Sequence, residues 1–348
     1  MRRSLAALVA ATVLVPVTAV TAASAAPSPS ATRAAPARCS ASVALSGFSD
    51  RLDETTSGGQ PVAGLSALGR TSDGSLLALS DRSQLFTLDG TTREPVGVVA
   101  LRDEQGGELD SEGLVVDRDG TLWVSSEVGP AIRHHARDGR VLGSLEVPAD
   151  FRTAPRGRAQ ENLSLESLTL SADGLTLFSG LEQGLVGDPD REVRLQTWHR
   201  AALDAPFEPG AQYAYQVDPG LGVPEVAATP DGRLLVLERE FLAQVGNTVR
   251  LYVTDPATGT DVSAVPVLTG DEALPKTLLA DLVTCPALGA TAEQPQLNPL
   301  LDNVEGMTVL ANQGDRRLSV LLVSDDNERP TQTTRLYDLA VTLPVRAG

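Results

Sequence analysis

One short pattern recurs along this chain and limits what it can fold into. A strand-like run passes through a turn ending in Asp-Gly and returns as a second strand-like run. Gly64-Leu65-Ser66-Ala67-Leu68 leads through Thr71-Ser72-Asp73-Gly74 into Ser75 to Ser80. Glu112 to Val116 leads through Asp117-Arg118-Asp119-Gly120 into Thr121 to Ser125. Glu166 to Leu170 leads through Ser171-Ala172-Asp173-Gly174 into Leu175 to Ser179, and Val223 to Ala227 through Thr229-Pro230-Asp231-Gly232 into Arg233 to Leu237. Asp-Gly between short apolar runs is a strong hairpin signal, because Gly takes positive φ at little cost.

A fifth copy, Val304 to Leu310 and Leu318 to Ser324, replaces the tight turn with a longer loop. The turn aspartates stand at 73, 119, 173 and 231, spacings of 46, 54 and 58 residues. Imperfect multi-strand repeats of that length point to propeller blades. A β-sandwich rarely repeats one hairpin with the same return strand, and long amphipathic helical stretches are missing. The expected fold is therefore all-β, a β-propeller of six blades, of which five are countable. Residues 256 to 301 hold part of a sixth blade or only a long insertion, with a short helical turn expected at Thr277 to Leu282. The early strand Ser42 to Phe48 is expected to pair with Thr334 to Val341 and close the ring, which removes exposed sheet edges.

The ends of the chain set its context. Arg2 and Arg3, the apolar run Leu5 to Val20 and the small residues Ala23-Ser24-Ala25-Ala26 read as a signal peptide over 1–26. The apolar core is broken by Pro16 and is too short to span a bilayer. Residues 27–40 read as a disordered mature N-terminus and 41–348 as the propeller domain. The expectation is a secreted monomer, free of the membrane once the signal is cleaved. Removing Arg2 and Arg3 takes the formal charge from −17 to −19. Such a surface repels nucleic acid and anionic lipid. The two cysteines, Cys39 and Cys285, are expected to pair in an oxidising compartment.

The chemistry-bearing residues sit at strand ends. First strands open on Glu112, Glu166 and Glu305, with Glu225 in the same place in the fourth copy. Return strands end on Ser80-Asp81-Arg82, Ser125-Ser126-Glu127, Gly180-Leu181-Glu182, Leu237-Glu238-Arg239 and Ser324-Asp325-Asp326-Asn327. In antiparallel neighbours, the start of one strand and the end of the next share a sheet edge. Around a ring, both sets meet near the central channel. So many carboxylates repel one another unless cations or shared protons offset the repulsion. An all-oxygen donor set suits Ca²⁺ better than zinc. We therefore expect Glu112, Glu166, Glu305 and Asp325 as calcium ligands. Asp81, Glu127 and Glu238 are candidate general bases, and Arg82, Arg239 and Asn327 would hold a small anionic substrate. There is no Gly-x-Ser-x-Gly elbow, P-loop or dinucleotide fingerprint. His134, His135 and His199 read as structural or surface residues, and an aromatic content of 3% disfavours a stacking surface.

These motifs, in this order, resemble the phytase-like family. The resemblance is carried by Gly64-Leu65-Ser66 to Ser80-Asp81-Arg82, Asp110-Ser111-Glu112-Gly113-Leu114, and Leu122-Trp123-Val124-Ser125-Ser126-Glu127-Val128-Gly129-Pro130. It continues through Leu234 to Arg239, Asn303-Val304-Glu305-Gly306 and Ser324-Asp325-Asp326-Asn327, spanning residues 60 to 340. It implies a β-propeller and hydrolysis of phosphate or other esters. One departure is Glu166-Ser167-Leu168, where the family shows Glu-Gly-Leu; this is expected to narrow access there. The dense Asp and Lys ligand set of true β-propeller phytases is missing, which disfavours phytate itself. The expected function is a calcium-assisted esterase or phosphoesterase. The alternative is a non-catalytic secreted propeller in which calcium is only structural.

Overall fold

A computed structural model of the chain describes residues 37–346 other than Asp315. The expected signal peptide lies outside the described residues, as does most of the expected N-terminal tail. The part of that tail that is described, 37–40, belongs to the fold: Ala37–Arg38 pairs with Ala44 and Leu45, and Ser40 Oγ donates to the Leu279 carbonyl at 2.6 Å.

The hairpin units form five sheets around an axis. Blade I comprises Leu65–Arg70, Leu76–Ser80, Gln84–Leu88 and Pro95–Ala100, and blade II Ser111–Val116, Leu122–Ser126, Ala131–His135 and Val141–Leu145. Blade III comprises Thr169–Leu170, Thr176–Gly180, Glu192–His199 and Glu208–Gln216, and blade IV Gly222–Ala228, Leu234–Leu242, Gly246–Thr254 and Lys276–Asp281. Blade V joins Asn303–Asn312, Arg317–Asp325 and Leu336–Thr342 to the early strand Val43–Ser49. That closure has the expected partners, with Val43 opposite Val341 and Ala44 opposite Ala340.

Five blades, not six, form the ring among the described residues. The long segment after blade IV's third strand supplies only that blade's outer strand. The expected helical turn at 277–282 is that strand, Lys276–Asp281, followed by a 3₁₀ turn at Leu282–Thr284. Among the described residues the remaining helical pieces are two further single 3₁₀ turns, and no helix there is long and apolar enough to cross a membrane.

Each Asp-Gly turn is built alike. Gly74, Gly120, Gly174 and Gly232 have φ between 80° and 92°. The preceding Asp accepts a hydrogen bond from the backbone N–H two residues on, at 2.9–3.3 Å. This Asx bond and the left-handed glycine reverse the chain. The return strands are buried on both faces because each blade packs against two others. Leu77 and Leu79 face blade II, while Leu76 and Ala78 face blade V. Leu235 and Leu237 likewise face blade V, and Leu234 and Val236 face blade III. That parity decides which polar residue beyond each strand reaches the axis.

Cys39 and Cys285 form a disulfide across 246 residues of sequence. In the chain-entropy model so long a closed loop stabilises by more than about 4 kcal/mol.

Candidate functional site

At one end of the axis each inner strand begins beside the end of its hairpin partner. Leu65 stands opposite Ser80, Ser111 opposite Ser126, Gly222 opposite Arg239 and Asn303 opposite Asp325. The strand-end residues therefore ring a cavity of about 400 Å³. Eight carboxylates line it: Asp81, Asp110, Glu112, Glu127, Glu166, Glu182, Glu305 and Asp325. Two guanidiniums, Arg239 and Arg329, face them.

Close packing of the inner strands holds the glutamates in place. A Cβ on Gly113 would lie 2.6 Å from the Leu168 Cβ, and one on Gly306 would lie 3.0 Å from the Ala67 Cα. The Glu-Gly pair thus lets neighbouring blades touch just below the cavity. Blade III solves this differently. Its Ser167 is fully buried and faces Gly180, whose N–H donates to Ser167 Oγ at 2.9 Å. In blade II the roles are exchanged, and Gly113 N–H donates to Ser125 Oγ at 2.7 Å. The departure at Ser167 is therefore a paired exchange across the hairpin, and Ser167 does not line the cavity.

The electrostatics are strained. Burial is the first cause of every upward shift here, and neighbouring carboxylates add to most of them. Glu127 and Glu305 are each pushed up to about 7. Glu112, Glu166 and Asp325 are pushed well above the carboxylate range. Asp81, Asp110 and Glu182 also shift upward, mainly by burial. Arg239 offsets only part of this. Its Nη2 lies 3.2 Å from Glu305 Oε1 and 3.4 Å from Glu182 Oε1, and its Nη1 donates to Asn303 Oδ1. Asn303 in turn donates to Glu305 Oε1 at 2.8 Å.

The lining fits a hard cation. One oxygen from each of Asp110, Glu112 and Glu127 lies within 4.8 Å of the others, the spread of ligands around a single ion. Ser66 Oγ and Arg239 Nε are buried on the same lining with no hydrogen-bond partner. The cavity is thus not satisfied by its own walls, and buried polar groups are rarely left so.

Of the residues singled out from sequence, Asp81, Glu112, Glu127, Glu166, Glu305, Asp325, Arg239 and Asn327 converge here. Asn327 donates its backbone N–H to Asp325 Oδ1 at 2.7 Å. Glu238 does not converge. It has the parity of Leu234 and Val236, so it turns to blade III, accepting from Tyr215 Oη at 2.7 Å and from Lys276 Nζ. Arg82 is absent from the lining and pairs with Glu328 at 3.0 Å on an exposed surface. Glu225 is buried beyond the lining, where it accepts from the Val226 and Leu168 N–H groups at 2.9 and 3.3 Å. The histidines also lie elsewhere: His134 stacks on Trp123 with ring centroids 4.1 Å apart, and His135 hydrogen-bonds the Arg102 carbonyl at 3.1 Å.

Asp110, Glu182, Ser66 and Arg329 were not among the chosen site residues. Asp110 and Glu182 had a signal, since they flank the same strand starts and ends. Ser66 stands in blade I where the other blades carry glutamate.

The chain resembles an uncharacterized secreted protein of Arthroderma benhamiae, 30% identical over 115 residues, covering 25% of this chain and 22% of the relative. The chain thus matches under a quarter of that relative's length. Among solved structures it is similar to a gluconolactonase of Xanthomonas campestris at 12% identity, covering 80% of this chain and 73% of that one with a TM-score of 0.42. It is also similar to an aldose sugar dehydrogenase of Streptomyces coelicolor in its PQQ-bound form, at 11% identity, covering 88% and 100% with a TM-score of 0.41. The phytase-like family model, described by the esterase-like activity of phytase, matches residues 60–328, and the chain belongs to that family.

Proposed function

We propose that this protein is an exported, calcium-assisted hydrolase of a small anionic ester, acting at the acidic propeller mouth. The observation that carries the reading is the imbalance there: eight carboxylates face two guanidiniums, and three of the carboxylates converge to ligand distance. Asp110, Glu112 and Glu127 would hold the ion. Bound calcium would polarise the phosphoryl or acyl oxygen and acidify a water. Glu305, with proton affinity near neutrality, would take the water proton. Arg239, beside it, would bind the anionic oxygen of the substrate. Export is supported by the Cys39–Cys285 disulfide and by the secreted relative.

The test is turnover of aryl phosphate, aryl acetate and phytate by the purified protein, with calcium and with chelator. Chelator-sensitive turnover of an aryl ester is expected. Glu112→Gln should lose both calcium binding and turnover, and Glu305→Gln should lose turnover while keeping the ion. No turnover on any ester, with calcium raising only the melting temperature, would leave a binding propeller in which calcium is structural.

A further inference from the structure

Only twelve aromatic side chains occur in the chain, and all lie among the described residues. Eleven are buried or half-buried. The twelfth, Phe241, is 44% exposed, and it lines the acidic cavity. An exposed aromatic ring on a wall lined by eight carboxylates calls for a physical reason.

The strand register supplies one. Phe241 follows Arg239 by two residues on Leu234–Leu242, so both side chains point to the same face, roughly 7 Å apart along the strand. Arg239 reaches the carboxylates at depth, and Phe241 stands one pleat further out. Leu163, half-buried, lines the same cavity from blade III's approach. The hairpin that carries Phe241 is pinned. Phe241 pairs with Asn247, whose N–H donates to Gln296 Oε1 at 2.7 Å, and a Cβ on Gly246 would strike Gln296. The backbone that carries the ring is therefore fixed at the rim.

We infer that Phe241 and Leu163 form an apolar subsite, and that the ligand of the mouth carries an aryl or alkyl group next to its anionic or ester head. The inference rests on the proposed hydrolase reading for the word ester, but the subsite is testable without turnover. A head group bound at the level of Arg239 leaves its nearest substituent at the level of Phe241. Apolar burial there discriminates between substituents, each fully buried methylene contributing up to roughly fourfold. A polar or charged substituent would be desolvated against the ring and rejected.

Methylphosphonate and phenylphosphonate present the same non-hydrolysable head, one without and one with an aryl group. Calorimetry of both, with calcium present, should show phenylphosphonate binding the wild-type protein at least about fivefold tighter. Phe241→Ser should bring the two affinities together, while Phe241→Leu should keep most of the preference; unchanged melting temperatures would show that the variants fold. Equal affinities in the wild type, binding of neither phosphonate, or a preference that survives Phe241→Ser would overturn the subsite. Where the preference holds, aryl butyrate should exceed aryl acetate in kcat/KM, and the excess should shrink in Phe241→Ser. A phosphonate preference with no turnover of any ester would retain the subsite and remove the hydrolase reading instead.

Discussion

Two acid-rich regions of this molecule use the same residue types to opposite ends. At the mouth, carboxylates outnumber guanidiniums, and their proton affinities rise. At the seam between blades III and IV, Asp218, Glu238 and Asp281 meet Lys276 and Arg250. There Lys276 Nζ donates to Asp218 Oδ1 at 2.9 Å, Tyr252 Oη to Asp218 Oδ2 at 2.6 Å, and the Asp218 N–H to Glu238 Oε2 at 2.8 Å. These hydrogen bonds and charges outweigh burial and hold Asp218 down at about 2. Lys276 also sits 4.1 Å from the centre of the Tyr252 ring. Two cations serve three carboxylates at the seam, whereas two serve eight at the mouth. Acidic composition alone therefore says little about function; the unpaired remainder does.

The contrast can be broken most severely at the seam. Lys276→Met leaves the fully buried Glu238 without its cation, and removing one partner of such a pair costs about 3–5 kcal/mol. Denaturant unfolding should show that loss with and without calcium alike. If calcium rescued the variant, the two regions would not be independent.

The pH dependence separates the regions by sign. At the mouth, folded-state affinities lie above those of the unfolded chain. Between about 4.5 and 7 the folded protein thus keeps protons that the unfolded chain has released, and calcium-free stability falls as pH rises through that window. Asp218 acts in the other direction. Its contribution is present above pH 3.8 and is lost as pH falls toward 2. Thermal unfolding from pH 4.5 to 8 should therefore show a declining melting temperature without calcium and a flatter profile with it.

Isosteric neutralisation sharpens the difference further. Glu112→Gln relieves repulsion and should raise the calcium-free melting temperature by roughly 1–2 °C for each kcal/mol gained in a domain of this size. Glu238→Gln should lower it. The smallest effect belongs to Arg82→Ala, because an exposed pair such as Arg82–Glu328 contributes about 0–1 kcal/mol.

The hairpins, the closing strand and the disulfide could be read from the sequence because each is a local or paired signal. Asp-Gly marks the turns, short apolar runs between them mark the strands, and two cysteines have one way to pair. The blade count could not be read, because the segment after Thr254 keeps the length of a blade while supplying one strand, Lys276–Asp281. Glu238 looked like Glu127, yet one residue of parity sends it to the seam and puts Arg239 at the mouth. Sequence spacing does not reveal which face of a doubly buried strand meets which neighbour. The Ser167–Gly180 exchange was hidden for a related reason, since only the pairing of the two strands makes it a compensation.

A calcium titration at pH 7.5, followed by calorimetry on the wild-type protein and Glu112→Gln, tests the acidic mouth directly. A cation site at the mouth predicts saturable binding to the wild type, a matching rise in melting temperature, and loss of both in the variant. No binding to the wild type, or equal binding by the two proteins, would contradict the claim that the acidic mouth is a cation site.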